Sequence, residues 1–300
     1  MIWVRWRQHR SQAITGLGVL CALAVYAIVL GLQMRTSFSQ NNLATCLAQS
    51  LGRGCQNSVE TFDQRFGSLV NIGFWSVLLL LPGLIGAVVG ATVLGREMEM
   101  GTWRLAWSQT VPRSRWLAIK LAVVGGGLIV LGAAMTLVIT WYRAPMDRLT
   151  GHFVHNAYDY EGFVFTAYIL FAFGLAVLAG ALLRRSIPAL LAALVPWVAA
   201  RIVVEFVLRP HFMAPLTFRQ TCPQGCGGGG GNAIVDVPPS TGHIGNLLIK
   251  TLNNTGTTQV TSYQPASRYW AFQSIEAGIF VALTLIVLSA TVWLVHRRAA

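Results

Sequence analysis

Six apolar runs, each about as long as a bilayer is thick, leave this chain few choices of fold. They span about residues 13–33, 68–95, 116–141, 162–183, 187–208 and 272–295. A helix needs roughly 20 apolar residues to cross the hydrocarbon core. Inside that core no water can satisfy the backbone, so each run must bond to itself as a helix. Of the 300 residues 54% are hydrophobic and 11% charged, whereas a soluble domain carries roughly a quarter charged residues. The sequence predicts an all-α polytopic membrane protein with six transmembrane helices in a single transmembrane domain, residues 1–300.

The short links set the orientation. Arg5, Arg7 and Arg10, the segment from Arg96 to Lys120, Arg184 with Arg185, and Arg297 with Arg298 all fall on one face. Cytoplasmic links collect Lys and Arg, so both termini are expected in the cytoplasm and segments 34–67, 142–161 and 209–271 outside the cell. The same rule accounts for the net charge of +12. The basic residues are not interleaved with the aromatic motifs of a nucleic-acid-binding module, so no nucleic acid is expected as a partner. Residues 1–12, with Trp3 and Trp6 among the arginines, suit a helix lying in the inner headgroup layer. No small-residue cleavage site follows the first apolar run, which is expected to remain as a span in the plasma membrane.

The polar segment REMEMGTWRLAWSQTVPRSRWLAIK, residues 96–120, interrupts the basic side. Trp103, Ala106 and Trp107 share one helical face by their i, i+3, i+4 spacing. Thr102 can cap the start of a short amphipathic helix, and Pro112 ends it. The segment is either a docking element or an interfacial turn whose tryptophans rest among headgroups. Glu97 and Glu99 are two apart and do not share a helix face.

Arg201 and Glu205 stand at i, i+4 within the fifth run. Ionisable groups at bilayer depth usually face the bundle interior. The pair either lines a translocation path or is structural, with Arg201 snorkelling to the outer headgroups. His152 and His155, near Asp159 and Glu161, form a wet loop more readily than a metal site, so no metal is expected. Cys46, Cys55, Cys222 and Cys226 fall in segments expected outside the cell, where disulfides can form. Four cysteines allow three pairings. Cys21 lies inside the first run. The Gly125–Gly127 run permits close helix contact, and the Gly227–Gly231 run has the composition of a flexible linker. No Gly-x-x-x-x-Gly-Lys-Ser/Thr is present, so the chain has no phosphate loop for ATP. No Ser-His-Asp order or His-Glu-x-x-His motif assigns it catalysis.

Residues 96–120 resemble the cytoplasmic segment after the second span in type-two permeases of ATP-binding-cassette exporters. Glu97, Glu99, Gly101, Thr102, Leu105, Ser108, Arg113 or Arg115, and Lys120 stand at the pattern's positions. Trp6–Arg10 and Leu182–Ala189, with Arg201 and Arg209-Pro210-His211, look like an actinobacterial branch of that class. The resemblance implies a coupling helix between spans two and three, with Glu97, Glu99, Gly101, Thr102, Trp103, Arg104, Arg113 and Arg115 acting on a separate ATPase subunit. It implies no cofactor on this chain, ATP being bound by the partner, and a permease homo- or heterodimer in lipid. The function expected is export of an amphipathic or lipid-like compound by alternating access. The competing reading is a membrane sensor or anchor whose cytoplasmic loop recruits a regulator.

Overall fold

The computed structural model describes residues 2–48, 53–68, 75–99, 113–150, 153, 158–221, 247–253 and 258–297. Its helices are α1 (Ile2–Gln40), α2 (Leu43–Ala48), α3 (Arg53–Ser68), α4 (Trp75–Glu99), α5 (Arg113–Thr150), α6 (Val164–Leu183), α7 (Ser186–Val203) and α8 (Tyr269–Arg297). A π-helical turn, Val204–Leu208, and a 3-10 turn, Arg209–His211, extend α7. Among the described residues, five helical stretches are long and apolar enough to cross a membrane: Leu79–Arg96, Arg115–Leu149, Val164–Leu183, Ser186–His211 and Ala266–Arg297. The chain divides into two compact units, residues 1–73 with 137–149, and residues 74–136 with 150–300.

In the larger unit α6 packs against α4, α7 and α8. A helix that is apolar all round belongs in an interior. Accordingly α6 buries Phe165, Tyr168, Ile169, Phe173 and Val177, which lie on several of its sides. Arg184 ends α6 in the left-handed region (φ 56°), and its N–H donates to the Gly180 carbonyl. This is the αL way of ending a helix. It leaves two residues before α7 begins, so α6 and α7 form a tight hairpin.

The close approach of α4 to α6 rests on small residues. A Cβ on Gly86 would run into the Ile169 carbonyl, and one on Gly90 would sit 2.5 Å from the Phe173 carbonyl. A Cβ on Gly180 would meet the Gly95 backbone nitrogen at 2.9 Å. Ala87, Ala91 and Ala176 are buried in the same seam. Lipid tails are as apolar as leucine, so close backbone packing, rather than hydrophobic expulsion, holds such helices together. The Gly125–Gly127 run meets no such neighbour among the described residues of the chain: a Cβ on any of the three would find nothing within 4 Å. Small residues admit a neighbour but do not supply one.

Several sequence-based boundaries change. Residues 2–12 are helical and continue without a break into the first apolar run as α1. The 142–161 segment is helical up to Thr150 as the continuation of α5. Segment 34–67 contains the end of α1, then α2 and most of α3. Segment 209–271 contains a three-stranded antiparallel sheet of β1 (Leu216–Thr221), β2 (Leu247–Asn253) and β3 (Thr258–Gln264) in the order β1-β3-β2. The threonines, valine and tyrosine of these strands are good sheet formers, a signal outweighed in the sequence by the neighbouring glycines. The chain is mostly helical with this small sheet added.

In the smaller unit Phe62 packs edge-on against Phe38 at 6.0 Å and lies 4.9 Å from Phe66. Arg35 stacks 4.0 Å over Trp141 and donates to that residue's carbonyl at 2.7 Å. Cys46 and Cys55 are joined in a disulfide, their Cα atoms 5.6 Å apart, while Cys222 and Cys226 lie outside the described residues. Closing so short a loop restricts the unfolded chain by about 2–3 kcal/mol. Reduction is therefore expected to lower the unfolding midpoint of the purified protein, and Cys55→Ser to give the same loss with no further effect of reductant. An unchanged midpoint in both tests would contradict this.

Candidate functional site

Four buried charges meet where α6, α7, α8 and the turn before α6 come together. Arg201 donates from Nη2 to Asp159 Oδ2 at 2.5 Å and from Nη1 to the Leu79 carbonyl at 2.9 Å. Arg209 donates to Asp159 Oδ1 at 2.6 Å and grips Glu276 through Nε and Nη2, both at 2.9 Å. The Tyr168 hydroxyl donates to Glu276 Oε1 at 2.5 Å. All four charged residues are at most 5% exposed. Two guanidinium groups and two carboxylates sum to zero, the condition under which ions survive burial.

Aromatic rings line the cluster. The Arg201 guanidinium lies 4.4 Å over Tyr168 and 5.3 Å from Trp197, and that of Arg209 lies 4.2 Å over Tyr158. Ring faces attract such cations more strongly once water is excluded. Trp197 Nε1–H donates to the Tyr168 carbonyl at 3.1 Å, which fixes α7 on α6. Burial, reinforced by the nearby Glu276 carboxylate, holds the Tyr158 phenol protonated well above its usual range.

Local structure explains how these groups converge. Residues eight apart on an α-helix are about 80° out of line. The π turn at Val204–Leu208 absorbs roughly one extra residue, so Arg201 and Arg209 behave as an i, i+7 pair, about 20° apart. Gly162, at φ +68°, carries the turn from Asp159 into α6, and a Cβ there would meet Gln273 Oε1 at 2.7 Å. Gln273 clamps that turn, accepting from the Val164 N–H at 3.2 Å and donating to the Tyr158 carbonyl at 2.8 Å.

Arg201 therefore does not take Glu205 as its ion-pair partner, nor does it snorkel. Its guanidinium is committed to Asp159, 42 residues earlier, and to the Leu79 carbonyl. The sequence reading missed Glu276. As the only acidic residue in the last apolar run, it carried the signal of an intramembrane charge. His152 and His155 lie outside the described residues, and Asp159 is taken by the two arginines.

A second cluster joins the end of α4 to the start of α7. Glu99, on the last turn of α4, accepts from the Ser186 hydroxyl at 2.9 Å and from the Ser186 N–H at 3.3 Å. Ser186 is the first residue of α7, whose unpaired N–H groups favour a carboxylate. These two hydrogen bonds hold the Glu99 carboxyl below the usual carboxylate range. A Cβ on Gly95 would come 3.2 Å from the Ser186 Cα, so the same junction is closely packed. Lys120 of α5 donates to the Val93 carbonyl of α4 at 2.8 Å.

The predicted coupling residues thus separate. Glu97 and Glu99 belong to the last turn of α4 and Arg113 and Arg115 to the first turn of α5. Gly101, Thr102, Trp103 and Arg104, with the expected coupling helix, lie outside the described residues.

The sequence profile described as "ABC-2 membrane transporter related" matches residues 17–209. No curated protein and no solved structure matches the chain. The matched stretch runs from α1 to Arg209 and takes in the Glu99–Ser186 clasp and three of the four charges in the buried cluster. With its five apolar helices, the chain belongs to the ABC-2 membrane transporter related family and is a multi-pass membrane protein of the permease type.

Proposed function

We propose that this chain is the membrane subunit of an ATP-driven exporter that moves an amphipathic or lipid-like compound out of the cell by alternating access. It has six spans, α1 providing the first, and both termini are cytoplasmic in the plasma membrane. A separate ATPase docks on the segment between α4 and α5, and two permease subunits share the assembly. Glu97 and the Gly101–Arg104 stretch meet the partner, while Glu99 is held by Ser186.

The observation that carries this reading is the Glu99–Ser186 clasp. It ties the base of the polar segment to the start of α7, and α7 continues to Arg201 and Arg209 in the buried cluster. A push on the segment would travel along one stiff helix to the opposite half of the membrane. In this reading the cluster is the element that responds, because Arg209 links Asp159 to Glu276 and a shift of α7 would move both of its pairs.

Reconstitution with a candidate ATPase subunit tests the reading. Transport substrates should stimulate hydrolysis, and the pair should copurify. Glu99→Ala is expected to leave copurification intact and to reduce stimulation by about tenfold, within the 5–150-fold range of ordinary coupling energies. Loss of ATPase binding with this variant would make Glu99 a docking residue instead. Absence of any ATPase partner would favour a sensor.

A further inference from the structure

We propose that the open groove between α5 and α8 holds an acyl chain of an anionic phospholipid, with the headgroup on a basic mouth made by Arg115, His296 and Arg297. The proposal rests on the membrane-spanning character of the chain and is independent of the ATPase partner.

The groove has a volume of about 560 Å³, within the roughly 300–1,000 Å³ of small-molecule sites. From α8 it is lined by Leu285, Leu288, Ser289, Val292, Trp293 and His296. Those positions follow i, i+3, i+4, i+7, i+8, i+11, a single helical stripe. From α5 it is lined by Ala118, Leu121 and Ala122. The two alanines and the serine are short, and they leave the space open. The walls are otherwise apolar, which suits a hydrocarbon chain and does not suit a water-soluble ligand.

Its end on the basic face is different in kind. His296 closes the stripe, and Arg297 lies on the adjacent position with its guanidinium 4.3 Å over the Trp293 ring. Arg115 stands one turn before Ala118 on α5 and is exposed. Trp293, 56% exposed, is the kind of side chain that settles at headgroup level. Tryptophan and arginine thus mark the depth of a phosphate, and the apolar stripe runs from there into the bilayer. Juxtamembrane Lys and Arg attract anionic lipid.

Charge also argues against a second copy of the chain in the groove. Subunits related by a two-fold axis along the membrane normal meet at equal depth. Two such faces would bring the cations Arg115 and Arg297 against the same two residues. An anionic lipid neutralises this end instead.

The test uses the delipidated full-length protein in detergent, titrated with phosphatidylglycerol or phosphatidylcholine and read by native mass spectrometry. Phosphatidylglycerol is expected to bind at least fivefold more tightly, and Arg297→Gln to weaken it by roughly fivefold, the factor for one juxtamembrane basic residue. Ser289→Phe should fill the groove and abolish the tight site in a protein of unchanged melting temperature. If that variant misfolds, Ala118→Leu gives the same reading. Equal binding of the two lipids overturns the proposal, as does tight binding that survives both filling variants. Disulfide capture of two copies through Ala122→Cys in lipid-free protein would also overturn it.

Discussion

Arg209→Ala is expected to destabilise the protein by about 3–5 kcal/mol, the usual effect of removing one partner from a buried ion pair. Arg209 is the hub of the cluster, since among the described residues it is the one cation that ion-pairs with both Asp159 and Glu276. Without it Arg201 still holds Asp159, but Glu276 keeps only the Tyr168 hydroxyl among its described partners. A carboxylate at 0% exposure would then be charged with no cation in contact. The unfolding midpoint in detergent should fall by about 10 °C, scaling from domains of comparable size. The deficit arises from the orphaned charge and not from lost attraction. Arg209→Met combined with Glu276→Gln should therefore recover most of it, because Arg201 and Asp159 remain balanced. Tyr168→Phe removes the hydroxyl's short bond to Glu276 and its longer contacts with Asp159 and Arg209, both at 3.4 Å, and should cost only about 1–3 kcal/mol. If the double variant is as unstable as the single one, the cluster is held by geometry that no neutral pair reproduces.

Gly86→Leu is the second large effect. The added Cβ alone meets the backbone carbonyl of Ile169 and, at 2.8 Å, the side chain of Ala172. A carbonyl in the middle of α6 cannot rotate away without breaking the helix, so α4 and α6 must separate. Overpacking ordinarily costs about 1–3 kcal/mol, and here the upper end or more is expected, with even Gly86→Ala measurably harmful. Gly126→Leu makes the matched control. A Cβ at that position meets nothing within 4 Å, so it should stay within about 0.5 kcal/mol of the parent. Thermal unfolding of the two variants side by side reads the difference. Equal loss at both positions would mean that glycine flexibility matters more than contact between the helices.

The two glycine groups show what was legible beforehand. In the sequence the Gly125–Gly127 run is the more conspicuous, and Gly86 and Gly90 lie unremarked in the second apolar run. Composition tells where a backbone can be approached, and the partner helix decides whether it is. Glu99 is similar. Its resemblance to a coupling motif was visible, but not that its carboxylate turns toward Ser186, 87 residues away. Glu276 could have been found by counting charges in the last run. Its partner Arg209, 67 residues earlier, could not.

The sequence by itself determined that apolar rods cross a membrane and that the short links between them are basic. Both are local properties: each rod must satisfy its own backbone in lipid, and each link carries its own charge. Only the tertiary structure decided which charges neutralise one another and which small residues meet a neighbour. Those choices depend on the rotation and depth of one helix against another, which are fixed by packing across dozens of intervening residues. A spacing of four places Arg201 beside Glu205 on the same helix, while the fold gives its guanidinium to Asp159.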